Sequence, residues 1–148
     1  MHIRETKRTQ DTGPPATFTA VGDVMLGRRV AVKMEHRGPS FPFEHVMNTL
    51  SQTDICFGNL ESPLSNRGRA RHVSDEGPVF RAPPEAARAL AKAGFTVLSL
   101  ANNHILDYGQ VALGDTICVL DAAGIQTVGA GFTLEDVTGR LVISGVIV

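Results

Sequence analysis

The sequence predicts one α/β domain in which mostly parallel strands are joined by helices. Three observations carry this. Short apolar runs of strand length alternate with stretches whose apolar residues recur at helical spacing. The runs are almost continuously apolar, as strands are when a parallel sheet is covered on both faces. Polar residues gather where the runs end: Asp23, then Asn59 with Glu61, then Asn102, Asn103 and His104. In an open parallel sheet those exits line one edge, and ligands bind there.

The elements follow in chain order. Met1 to Pro15 is polar, mixed in charge and without the apolar core of a secretory signal. Residues 1–16 are therefore expected to be a disordered tail, with the folded part in 17–148. Phe18 to Val24 (FTAVGDV) reads as a strand that delivers Asp23 at its end. Residues 27 to 36 read as a helix stopped by Gly38-Pro39. Phe43, Val46, Met47 and Leu50 share a helical face over 43–50. Asp54 to Leu60 is the next strand, ended by Pro63, and 65–79 is a loop rich in Gly, Arg and Ser. Pro83-Pro84-Glu85 opens a helix with Ala86, Ala89, Leu90 and Ala93 on its apolar face, stopped by Gly94. Phe95 to Ala101 is an apolar strand, and Gly109 to Ala123 a helix with Leu113, Ile117 and Leu120 on one face. Ile125 to Val128 is a short strand, and Leu141 to Val148 is expected to be a final one.

Composition narrows the function classes. One domain is the default for 148 residues, and 43% hydrophobic with 20% charged residues is ordinary for a folded chain. A net charge of −1 and only 5% aromatics argue against a nucleic-acid binder. No apolar run approaches the roughly 20 residues of a membrane helix, so the sequence alone points to the cytoplasm. Cys56 and Cys118 sit in apolar stretches and are expected to be small buried hydrophobes.

Asp23, Glu61, Asn103 and His104 supply carboxylate, amide and imidazole donors from three strand exits, which predicts that they converge on one edge. Such a set suits Mn²⁺, Fe²⁺ or Zn²⁺, which would polarise a phosphoryl or acyl oxygen and activate water. A nearby histidine would protonate the leaving group. Plainer roles stand beside these. Asp23 could cap a turn, Glu61 could be a solvated loop acid, and Asn102 and Asn103 could supply turn geometry. His104 could be a structural histidine. Asp107 is expected to cap the helix at Gly109. The run Arg67 to His72 could attract a polyanion, though Asp75 and Glu76 follow and favour a solvated loop. Gly129-Ala130-Gly131 has Leu134 where a dinucleotide loop needs its third glycine, which discounts a nucleotide-binding module.

Gly22-Asp23-Val24-Met25-Leu26-Gly27-Arg28, then Asn59-Leu60-Glu61-Ser62-Pro63, then Ala101-Asn102-Asn103-His104-Ile105-Leu106-Asp107-Tyr108-Gly109 occur in order. This pattern resembles the CapA family of bacterial capsule and poly-γ-glutamate synthesis proteins, itself similar to the calcineurin-like metallophosphatases. The resemblance implies a partial metallophosphatase-like α/β sandwich. It implies Asp23, Glu61 and Asn103 as metal ligands and His104 as catalytic acid. Arg28, Asn59, Asn102 and Asp107 would touch the substrate or support the ligands. Met25 stands where metallophosphatases carry a first-motif histidine. The family domain continues past Val148 into later histidine motifs, and no histidine follows His104 here. The chain is thus expected to be an N-terminal portion with an incomplete metal site, hydrolase-like if the domain were complete. The implied partner is an anionic polymer or phosphoester, and the last strand would offer an edge for self-association. A non-catalytic subunit for polymer assembly or export is the alternative. Family members are often membrane-tethered.

Overall fold

In the computed structural model, strand β1 (Phe18–Val24) runs beside β2 (Ile55–Leu60), then β3 (Val97–Ser99), then β4 (Gln126–Val128), every pair parallel. The structure describes residues 15–71, 77–133, 136–137, 142–143 and 146–147. The tail expected over residues 1–16 lies almost wholly outside them. Spatial order follows chain order, so each crossover advances one strand in the same direction. Right-handed crossovers of that kind put their helices on one face.

The helices are α1 (Arg28–Arg37), the single turn α2 (Met47–Leu50), α3 (Ala86–Ala93) and α4 (Gly109–Ala122). Cys56, Leu60, Leu98 and Leu100 from the sheet pack in one cluster with Ala86, Ala89, Leu90 and Ala93 of α3 and Leu120 of α4. Ile55 and Val97 form a second cluster with Phe57 and Val128, at the alternate positions of the same strands. The central strands β2 and β3 are mostly buried, as a parallel sheet requires. The edge strand β1 is not: it alternates exposed and half-buried until Val24.

Several local expectations change. The stretch 43–50 is not one helix. A 3₁₀ turn spans Phe41–Phe43 with Pro at its start, and α2 follows after Val46. Phe43 and Leu50 are buried, but Val46 faces outward. The helix opened by Pro83-Pro84 begins at Ala86, after a turn. On α4 the buried row is Ala112, Thr116 and Leu120, with Leu113 and Ile117 half-buried beside it. Thr116 is there for its hydroxyl, which accepts from Leu64 N at 2.8 Å and donates to Ala112 O at 2.6 Å. Cys56 is buried as expected, and Cys118 is exposed because it lies on α4's outer side.

Leu141 to Val148 is not one strand of the main sheet. β5 (Val142–Ile143) and β6 (Val146–Ile147) pair antiparallel with each other. The side chains on which self-association would depend lie outside the described residues. Among the described residues no helix is long and apolar enough to cross a membrane.

Candidate functional site

The exits of β1, β2 and β3 are joined by a chain of side-chain hydrogen bonds. Asp23 and Asn59 are register partners across β1 and β2. Asn59 Nδ2 donates to Asp23 Oδ1 at 2.8 Å. Asn102 Nδ2 donates in turn to Asn59 Oδ1 at 3.0 Å and to the Leu60 carbonyl at 2.9 Å. The Asn102 carbonyl oxygen accepts from the backbone N–H of His104 and of Ile105, each at 3.0 Å. One asparagine thus builds the turn after β3 and bolts it to the end of β2. The turn-geometry role expected of it is met by these bonds.

His104 sits at the centre of that turn. Its Nδ1 is 2.9 Å from Asp107 Oδ2, and its Nε2 is 3.1 Å from Asn103 Nδ2. A carboxylate accepts only, so Nδ1 carries the proton and Nε2 accepts from the Asn103 amide. The Phe80 ring lies against the imidazole, with centroids 4.2 Å apart.

Asp107 does not cap α4. The residue before that helix is Tyr108, and it makes no side-chain cap. Asp107 is fully buried beneath the turn. Its Oδ2 also accepts from Phe80 N at 2.7 Å, and its Oδ1 is 2.7 Å from Arg71 Nε. Its backbone carbonyl accepts from Arg71 N at 2.8 Å. A buried carboxylate needs such partners, because desolvation of an unpaired charge costs several kcal/mol. Arg71 and Phe80 were not identifiable from sequence. Both reach the site through contacts distant in sequence, Phe80 N to Asp107 Oδ2 and Arg71 Nε to Asp107 Oδ1.

The same loop is tied at its other end. Arg67 Nε donates to Asp115 Oδ2 at 2.9 Å, Arg67 Nη2 pairs with Asp115 Oδ1, and Ser65 Oγ donates to Oδ2 at 2.6 Å. The Arg67 and Ser65 bonds hold the Asp115 carboxyl down to about 2. Two arginines of the Arg67 to His72 run are therefore paired with aspartates, Arg67 with Asp115 and Arg71 with Asp107. His72 lies outside the described residues.

Glu61 and Arg28 lie outside the hydrogen-bond chain. Glu61 is half-buried just past β2, and its backbone N–H donates to the Val24 carbonyl at 3.1 Å. Arg28 is exposed at the first position of α1. Among the described residues, no three His, Cys, Asp and Glu side chains group as a cage for a metal ion. Asp23 Oδ1 and both ring nitrogens of His104 already face partners. These residues alone do not fit a closed metal centre.

Gly129 has a structural reason unrelated to nucleotides. Its φ is +82°, and a Cβ there would stand 2.5 Å from the Ala101 side chain. It lets the chain leave β4 against the start of the His104 turn.

The bacterial capsule synthesis protein family PGA_cap matches residues 17–145. A capsule biosynthesis protein CapA of Bacillus anthracis is 38% identical over 122 residues, which cover 82% of this chain and 30% of that protein. A PGA biosynthesis protein CapA of Bacillus subtilis (strain 168) is 31% identical over 121 residues, covering 82% and 32%. A probable polyglutamine synthesis accessory protein of Mycobacterium tuberculosis is 45% identical over 158 aligned positions, covering 82% and 41%. The chain spans about a third of the first two relatives and about two fifths of the third.

Proposed function

The chain belongs to the bacterial capsule synthesis protein family PGA_cap, and from that premise we propose that it serves the making of an anionic capsule polymer of the poly-γ-glutamate kind, with His104 as the acid–base group of a hydrolysis or transfer step. One observation carries the chemical half of this reading: His104 is backed by a fully buried carboxylate, Asp107, on a turn bolted to the neighbouring strand by Asn102.

A carboxylate behind Nδ1 fixes the tautomer and aim of the ring. Nε2 is then the group that exchanges a proton with water, a hydroxyl or a leaving group. Asn103, whose amide now faces Nε2, would yield that place to the substrate. Asp23 and Asn59 line the neighbouring exits and would orient a polar substrate group. A divalent ion held by Asp23, Glu61 and Asn103 belongs to the same proposal, as a centre whose shell the described residues do not complete.

The test is turnover of a generic phosphodiester and of poly-γ-glutamate, with Mn²⁺ added, by a version of the protein extended to the length of its CapA relatives. His104→Ala is expected to slow it by about 10²- to 10⁴-fold, the usual contribution of a general acid or base. Equal turnover by both proteins would remove His104 from the chemistry. Polymer binding without any turnover would replace the enzyme by an assembly or export subunit.

A further inference from the structure

We propose that the outer face of α1, with the cavity at its N-terminal end, is a docking track for a linear polycarboxylate. This rests on the polymer role proposed above and assigns the surface that would hold the polymer. The protein carries a net charge of −1, yet α1 presents Arg28, Arg29, Lys33, His36 and Arg37 outward against one acid, Glu35. Arg29, Lys33 and Arg37 recur every fourth residue and so form a ridge with steps of about 6 Å along the axis. Phe41 flanks two of the three. The Arg37 guanidinium lies 4.0 Å and the Lys33 ammonium 5.9 Å from its ring centroid. Arg37 also stands 3.7 Å from Glu44, so part of its charge is answered internally. Arg28, Arg29 and His36 have no ion-pair partner among the described residues.

The N-terminal end of this ridge opens on a cavity of about 290 Å³ lined by Met25, Arg28, Arg29 and Val30. Arg28 there has φ +54°, a left-handed backbone that a side chain adopts only against strain. Strain of this kind persists where the surroundings impose it and concentrates at functional sites. Met25 lies two residues past Asp23, so the cavity adjoins the β1 exit of the His104 site.

A chain of carboxylates answers this surface better than the other anions do. Repeated charges on one strand engage several cations at once, and each further contact is intramolecular. A lipid surface would want an apolar face beside the cations, but Val30 and Met34 pack into the core and only Val32 is large, apolar and exposed on α1. The other basic segment, at Arg67 and Arg71, is taken up by Asp115 and Asp107.

The experiment titrates the 148-residue chain with poly-γ-glutamate of defined length, with glutamate monomer and with anionic phospholipid vesicles. Polymer is expected to bind in a salt-dependent way and monomer to bind far more weakly. Arg29→Gln/Lys33→Gln should weaken polymer binding about tenfold, Arg29→Lys should keep it, and the thermal midpoint should not move because both residues are exposed. Polymer binding and turnover are read separately on the Arg29→Gln/Lys33→Gln variant and its parent, which separates this track from the acid–base reading: either can fail while the other stands. Parent-like polymer binding by the double variant would overturn the proposal. So would vesicle binding without polymer binding, or no polymer binding by the parent chain.

Discussion

Arg67 and Arg71 are four residues apart on one loop, and each pairs with an aspartate, yet the two pairs do different work. Arg67 is 70% exposed and its partner Asp115 18% exposed, whereas Arg71 is 33% exposed and Asp107 not at all. Water competes with the first pair and screens it. The second was removed from water during folding, and its carboxylate is shared with the Phe80 amide and the His104 ring. The exposed pair trims the position of a loop. The buried pair is part of how the site is built, since a lone partner left inside would be an uncompensated charge.

The sharpest way to break this comparison is to delete both aspartates in turn. Asp107→Ala is expected to lower unfolding free energy by about 3–5 kcal/mol in urea titration, the usual consequence of stranding one partner of a buried pair. Asp115→Asn should move the midpoint far less. Similar losses for the two variants would show that burial does not separate them.

A smaller effect concerns acid. Asp115 has a folded value of about 2 against an ordinary 3.8, so its carboxylate form is favoured by folding. Its contribution is complete above about pH 4 and disappears as pH falls through about 2. Carboxyl chemical shifts followed by NMR should show Asp115 titrating well below the bulk of the surface carboxylates. Titration at 3.8 or above would mean that the Arg67 and Ser65 bonds do not persist in solution.

The alternation of apolar runs and helical stretches was enough to read β2, β3, α3 and α4, because buried parallel strands and one-sided helices leave strong local patterns. The polar residues at strand exits were legible for the same reason. Patterns failed where a contact distant in sequence decides. Nothing near Asp107 signals that Arg71 and Phe80 will fold over it, so a helix cap was the natural expectation. Thr116 looks polar and sits in the buried row only because Leu64 needs an acceptor. Val46 and Cys118 look buried and are not, since short apolar neighbourhoods do not reveal which side of a turn or helix meets the core.

The most direct test of the site is the ¹⁵N spectrum of the histidine rings in the intact chain, with His104 assigned by comparison with His104→Ala. Asp107 behind Nδ1 predicts a His104 ring whose proton sits at Nδ1, with Nε2 facing Asn103 and, in turn, the substrate. A ring protonated at Nε2, or one exchanging freely between the two forms, would contradict the Asp107–His104 pair on which the proposed chemistry stands.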